Sequence, residues 1–590
     1  MPSKKSYFKP LLWLDDMRRY WPLWAGAALL TLLVPLRLIS SYNGGQNLQE
    51  NYRSNQLWLL RSQVNLINPA IVVYALLVAG ILFGYLFKAG SANGLHALPT
   101  TRNELFGTHF TAGLTMGAIP VLALVAGIAW SMTATGIYDA RLLLDFVVMA
   151  VGGYLWFFAF ACFCVMLAGQ LWAAAVAYVA LNSVAFLVGI VITFLQQIFF
   201  FGASTLDDNM GRLLLNCSPL LRFVQPENVF VGEQIYFNTI PIVVYAVLAI
   251  PMAALALLVY RHRDLEQAGE FIAFPAVKSV FCGAAGICGG MVSGIFLLQM
   301  LKTTNAAVSV LLVVAAAFVC FFGAQMLVCK ELAVFKRKNW ITYGVMAVVL
   351  GGGVCVTALG GHAYSAWLPT AGEISRATVR LNLQSGPVYM TNVPITLDTP
   401  EEIEAVCLAH RVYLGVYADS VGAQEHQAAV GRSSRAMYSY NGFDVVYTLT
   451  NGKTVHRTFP LAISEEEIAR QGSPEQLLNN LGAAYLDIPT YLTENASVMN
   501  MELADAAYSE RRNYPAGSDK AVKILQGVAA DYKQQSWTTS IYSMWDVNET
   551  ENQPVWWINV NFEKGASADA GRSGSIRVLP AMKNTLKAIG

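Results

Sequence analysis

Nine stretches of this 590-residue chain are almost free of charge and long enough to cross a lipid bilayer, which takes roughly 20 mostly apolar residues as a helix. They fall at 20–40, 69–87, 110–132, 143–168, 171–195, 236–260, 280–300, 305–328 and 340–360. A chain with that pattern is expected to be an α-helical polytopic membrane protein. Charged residues are 13% of the total, about half the ~25% of a soluble domain. The net charge of +1 excludes a basic nucleic-acid binder, and the apolar content excludes disorder. The first stretch is read as a retained anchor, since no small-residue cleavage site follows it. Lipid is therefore the first partner the sequence implies.

Charge is not evenly spread. From Ser365 onward there are 24 acidic and 18 basic residues, and the first 364 positions hold the other 14 acidic and 21 basic ones. The C-terminal part has an ordinary water-soluble composition, with the boundary near His362. Lys and Arg between the apolar stretches set orientation. Lys4, Lys5, Lys9, Arg18, Arg19, Lys88, Arg102, Arg261, Arg263, Lys278, Lys330, Lys336, Arg337 and Lys338 fall on one side. Arg37, Arg53, Arg61, Arg141, Arg212, Arg222 and Lys302 fall on the other. The richer side is expected to be cytoplasmic. The N-terminus is then inside, and nine crossings of the plasma membrane put the polar C-terminal domain outside.

Ion-coupled carriers keep carboxylates or histidines near the midplane. Here Asp145 is the one acidic residue well inside a stretch, and it is expected to be an interfacial residue partnered locally. That pattern disfavours a secondary transporter and implies another energy source. No Gly-x-x-x-x-Gly-Lys-Ser/Thr loop occurs, so any ATP and magnesium belong to a separate chain. The loop after the second stretch contains Leu98-Pro99-Thr100-Thr101-Arg102. Pro99 disfavours helix at Leu98, and Thr101 with Glu104 has capping-box spacing. The expected form is a short surface helix, a break, and then the next span.

At these residues the chain resembles a family, the type-2 ABC exporter permeases, whose coupling region carries a Leu-Pro-x-x-Arg stretch. The segment Phe8 to Arg19 resembles that family's interfacial connector helix. Asn216-Cys217-Ser218-Pro219-Leu220-Leu221 is similar to its short outer re-entrant segment. Tyr260 to Gly269 is similar to an ending found in a Gram-positive subgroup that adds three spans and an extracytoplasmic C-terminal domain. The stretches Leu408-Ala409-His410 and Tyr447 to Lys453 also resemble that subgroup.

The resemblance implies a connector at 1–19, a six-span permease core at 20–260, a cytoplasmic loop at 261–279, three added helices at 280–361 and an outer α+β domain at 362–590. It implies a second permease copy or paralogue and cytoplasmic ABC ATPase subunits that bind ATP and Mg. Leu98, Pro99, Arg102 and Glu104 would couple to the ATPase. Spans two and five would flank the path, which makes Tyr74, Tyr178, Asn182 and Ser183 candidates for it; helix contacts are the alternative use of these four. Gly286, Gly290 and Gly294 recur every four residues and are expected to let another helix approach closely.

In the outer domain, 377–383 alternates like a strand. Thr399, Pro400, Glu401 and Glu402 open a helix that runs to about Val416. Strands at 443–449 and 454–461 join around Asn451-Gly452. Ser464 with Glu467 and Ser473 with Gln476 have capping-box spacing. A helix at 518–534, strands at 555–563 and 574–579 and a short last helix at 581–588 complete the pattern. Gly351 to Gly353, Gly360 and Gly361 are expected to soften the link to this domain. His362, His410, His426 and His456 form no catalytic or metal pattern, and His410 is expected to be a packed, hydrogen-bonded core residue. The nine cysteines set up no disulfide framework. The functional expectation is the permease subunit of an ATP-driven exporter, itself not an enzyme. The rivals are an ABC machine that relays force to, or senses antimicrobials through, the outer domain, and a membrane-anchored receptor or enzyme without an ATPase.

Overall fold

The computed structural model describes residues 8–42, 62–96, 100–136, 138–203, 208–231, 234–264, 269–303, 305–385, 387–416, 442–461, 468–485, 488–497, 499–505, 511–534, 539–540, 554–562 and 573–590. Among them, nine helices are long and apolar enough to cross a membrane. They follow a short helix α1 (Pro10–Arg19). The first span comprises α2 (Trp21–Thr31) and α3 (Leu33–Tyr42). The next is α4 (Val64–Leu82), followed by a 3-10 turn at Gly84–Phe87 and the eight-residue α5 (Ala89–His96). Then come α6 (Arg102–Ala134), α7 (Ala140–Leu167) and α8 (Leu171–Phe199). Two short helices, α9 (Asp208–Asn216) and α10 (Pro219–Val224), and a hairpin of β1 (Asn228–Val231) and β2 (Gln234–Phe237) lead to α11 (Ile240–His262). The last three are α12 (Pro275–Leu301), α13 (Ala306–Cys329) and α14 (Arg337–Ser365). Length and composition mark a multi-pass membrane protein.

The chain divides into two compact units. The first holds most of the helices. Its core is aromatic: Phe157, Phe158, Phe83 and Tyr178 are each at most 1% exposed. Asp139 caps α7 through the backbone N–H groups of Arg141 and Leu142. Asp145 is buried and accepts a hydrogen bond from the Phe237 N–H at 3.0 Å, a partner 92 positions away in sequence. The break between α9 and α10 is two residues long, with Cys217 exposed and Ser218 buried. The Ser218 hydroxyl, fully covered, accepts from the backbone N–H of Phe186, the sixteenth of 29 residues in α8. Arg222 donates to Glu227 at 2.7 Å, and Asn238 donates to the same carboxylate oxygen at 3.1 Å. Burial raises the Glu227 pKa, but the bonds from Arg222 and Asn238 outweigh it and leave the carboxyl below its usual range.

The second unit contains Thr193–Leu206, Leu297–Val310 and Gly352–Gly590. Its centre is one antiparallel sheet in the order β6-β5-β3-β4-β11-β10-β7-β8, with β9 paired to β3. The strands are β3 (Ile374–Ser385), β4 (Val388–Leu397), β5 (Gly442–Leu449), β6 (Thr454–Pro460), β7 (Met499–Asp505), β8 (Arg511–Tyr514), β9 (Thr539–Ser540), β10 (Trp556–Phe562) and β11 (Ser573–Val578). Helices α15 (Pro400–Val416), α16 (Pro474–Tyr485), α17 (Ile488–Asn495), α18 (Asp519–Gln534) and α19 (Lys583–Ile589) accompany it. Thr399 and Glu402 exchange capping bonds at the start of α15. Gly452, at φ +79, turns the β5–β6 hairpin, as the Asn-Gly signal requires.

The sequence expectations do not include β4, β7, β8 or β9, although Met499, Met501 and Leu503 alternate with polar residues in β7. In β4, Asn392 interrupts the alternation between Met390 and Val393, and the pairing with β3 shifts register there: Leu381 faces Val393 and Leu383 faces Met390, so the extra residue lies in β4. The Ser464–Glu467 pair lies outside the described residues. Helix α14 runs unbroken through Gly351–Gly353, Gly360 and Gly361 to Ser365. Gly361 serves close approach: a Cβ there would lie 2.3 Å from the carbonyl oxygen of Phe199. His410 is the packed residue expected, with Nδ1 3.1 Å from the Tyr447 hydroxyl.

Candidate coupling end and path

The sequence motif around Arg102 sits where several helix ends meet. Thr101 caps α6 in a reciprocal box: its hydroxyl accepts from the Glu104 N–H at 3.3 Å, and the Glu104 carboxylate accepts from the Thr101 N–H at 2.8 Å. The capped helix is the span itself, so no second break separates a surface helix from it; the short helix is α5, before the cap. Arg102 is the first residue of α6. Its guanidinium donates to the carbonyl oxygens of Arg261 at 2.8 Å, Arg263 at 2.9 Å and Tyr260 at 3.4 Å. Tyr260 and Arg261 lie in the last turn of α11 and Arg263 directly follows it, at the helix end whose carbonyls attract cations; the Tyr260 carbonyl also accepts from the Arg263 N–H.

Arg263 repeats the arrangement one step further in. It is 3% exposed. Its guanidinium donates to Val165 and Met166 at the end of α7, at 2.9 and 3.0 Å, and to Leu86 at 3.1 Å. Burial pushes its pKa down to about 10, while Tyr85 and Tyr260 oppose that shift, so it stays cationic at neutral pH. The Tyr85 and Tyr260 hydroxyls are 3.0 Å apart. Beyond it, the segment Gly269–Ala273 pairs with the α7–α8 joint: Ile272 bridges Ala168, and Ala273 donates to Leu167 at 2.9 Å. Lys330 donates to the Gly269 carbonyl at 2.8 Å.

Helix α1 is fastened to α6 beside this cluster. Asp16 and His109, 6% and 4% exposed, meet at 2.7 Å. The Lys9 N–H donates to Thr108 Oγ1 at 3.0 Å, and Trp13 Nε1 donates to Thr115 Oγ1 at 3.3 Å. Sequence reasoning missed Arg263, Asp16 and His109 as cluster members. Their one visible signal is a charge, or a histidine, within a few residues of an apolar stretch. Of the coupling candidates, Leu98 and Pro99 lie outside the described residues. Arg102 and Glu104 lie together, with Arg102 Nη1 and Glu104 Oε2 bonded within the fold.

The path candidates are likewise engaged. Tyr74 donates to the Met116 carbonyl at 2.8 Å, and Tyr178 donates to Val72 at 3.0 Å. Asn182, 1% exposed, accepts from Trp156 Nε1 at 3.1 Å and donates to the Tyr178 carbonyl at 2.8 Å. Ser183 is half-buried beside it. Gly290 and Gly294 lie against α13, where an added Cβ would meet the Ala317 Cα at 2.5 Å and the Val313 Cα at 2.8 Å; at Gly286 it would meet Met346 Sδ of α14 at 2.8 Å and Phe321 Cβ of α13 at 3.0 Å. Among the described residues, no group of three His, Cys, Asp or Glu is placed to hold a metal ion. Comparison with protein-family models, with curated proteins and with solved structures finds no match.

Proposed function

We propose that this chain is the permease subunit of an ATP-driven exporter and works with a separate ATPase. The observation that carries the reading is the helix-end cluster. A push on α5 or on the start of α6 reaches α11 through Arg102, reaches α7 and the α4 end through Arg263, and meets α1 through Asp16–His109. Four long helices and the N-terminal helix therefore converge on one small polar cluster next to the motif that resembles a coupling region. The Lys and Arg distribution assigns that end to the cytoplasm, where ATP is available. Further support comes from the break at Cys217–Ser218, where Ser218 is buried against α8 and which is similar in place to the family's re-entrant segment. The six-helix core with three added helices, the outward-facing sheet unit, a second permease copy and the lipid setting all belong to this reading.

The test is co-expression with an ATP-binding subunit encoded nearby, followed by reconstitution. Co-purification and substrate-stimulated hydrolysis with measured translocation into liposomes support an exporter. Stimulated hydrolysis without translocation transfers the assignment to a force relay. Purification without any ATP-binding subunit removes both.

A further inference from the structure

Strand β6 is an edge of the sheet, and an open edge offers unpaired backbone groups to any passing chain. Residues 200–203, which directly follow α8, occupy that edge. Ala203 bridges Arg457 in antiparallel fashion, and Gly202 accepts from the Thr458 N–H at 3.0 Å. Gly202 has φ +77, and a Cβ there would lie 2.2 Å from the Phe459 ring, so glycine is required. Phe201 is 5% exposed inside the sheet unit's core, with ring centroids 5.4 Å from Phe459 and 6.0 Å from Tyr413.

The end of α14 is held at the same place. Ser365 Oγ accepts from the Phe201 N–H at 2.9 Å and donates to the Gly361 carbonyl at 2.7 Å. Tyr364 donates to the His456 carbonyl at 3.2 Å. Arg457 is completely buried and donates through one terminal nitrogen to Ser365 and Trp367, both at 3.2 Å. Its guanidinium lies 4.2 Å from the Tyr364 ring centroid. Its Nε and other terminal nitrogen have no hydrogen-bond partner among the described residues. The Phe459 and Trp367 rings also lie near the guanidinium, at 5.6 and 5.9 Å, but rings do not replace the missing hydrogen bonds, and a buried cation that is incompletely hydrogen-bonded is costly. Opening the joint to water would satisfy it.

We propose that this joint is a two-state device. Closed, it seats Phe201 in the sheet unit. Open, it hydrates Arg457 and frees the end of α8, the helix that carries Tyr178 and Asn182. A molecule that binds the sheet unit better in one state shifts α8 toward that state. The meaning of that shift for transport rests on the permease reading, but the coupling itself does not.

The test uses the full chain in nanodiscs, with all nine cysteines replaced and Ser183→Cys added as a reporter in α8. The maleimide labelling rate of that cysteine is compared with and without Phe201→Ala, which favours opening, and Arg457→Met, which favours closure. The two variants are expected to move the rate in opposite directions, each by about fivefold, the effect of roughly 1 kcal/mol on the equilibrium. Arg457→Met is also expected to raise the unfolding midpoint of the sheet unit. Should Phe201→Ala fail to fold, Arg457→Met alone carries the test. Unchanged labelling in the folded variants, or a lower midpoint for Arg457→Met, means that the joint is a plain anchor and overturns the proposal. No ATPase is present in this assay, so absence of a co-purifying ATPase would sink only the permease reading.

Discussion

Arg102 and Arg263 lie 161 positions apart in sequence, and the guanidinium of Arg102 donates to the carbonyl oxygen of Arg263 at 2.9 Å. The same Arg263 sends its own guanidinium to the ends of α7 and the 3-10 turn. Each arginine neutralises the carbonyl end of one helix while sitting at the end of another. The arrangement ties helices with no covalent proximity into one unit, so it bears on stability before it bears on any partner.

Arg102→Glu is therefore expected to destabilise the chain by itself. It removes bonds from a charged donor, worth about 1.5–3 kcal/mol, and sets a carboxylate against carbonyl oxygens. All three bonds come from Nη1, so Arg102→Lys, which keeps the charge on a shorter side chain, is expected to fall between. Thermal unfolding of the detergent-solubilised chain without any ATPase checks this. An unchanged midpoint for Arg102→Glu would mean that the side chain is free to serve a partner instead.

How much of this was legible in the sequence varies with the distance of the partner. The capping pair Thr101–Glu104 is three residues long and readable, as is the Asn451-Gly452 turn. The role of Arg102 is not readable, because its acceptors lie near position 260. Hydropathy placed the second stretch at 69–87, whereas α4 covers Val64–Leu82. Asn65, Asn68 and Pro69 depress the average at its start, yet Asn68 is buried and donates to the Phe223 carbonyl. A polar side chain with a tertiary partner looks like a loop residue to any local measure. The reverse error occurs at 236–237, where two aromatic residues extend an apolar window but belong to β2.

Packing of α12 on α13 depends on the absence of a side chain at Gly290. Gly290→Val is expected to force the helices apart and cost about 1–3 kcal/mol as overpacking. Gly283→Ala on the same helix, where nothing lies within 4 Å, is expected to be neutral or stabilising. Unfolding midpoints of the two variants against wild type decide it. Equal effects would mean that the glycine stripe does not set the contact.

The buried His410 predicts acid sensitivity. Burial, with a smaller contribution from Arg457, pushes its pKa down to about 3 from the ordinary 6.5. The folded state then refuses a proton that the unfolded chain accepts below 6.5. Its contribution is full above pH 6.5 and falls as pH drops toward 3, by about 1.4 kcal/mol per unit. His410→Gln is expected to lose less stability than wild type between pH 7 and pH 5, measured by urea unfolding. Parallel losses would show that His410 titrates normally.

The central claim is that the end of the bundle carrying α1 and α5 faces the cytoplasm and seats an ATP-binding subunit. Gly94, exposed in α5, offers a direct probe, since a side chain added there meets nothing within 4 Å. A photo-crosslinking residue at position 94 is expected to capture an ATP-binding subunit in cells, with a yield that changes when ATP is depleted. Gly94→Cys is expected to react with an impermeant maleimide in inverted vesicles and not in intact cells. Labelling from outside intact cells, or adducts containing no ATP-binding protein, would contradict the claim.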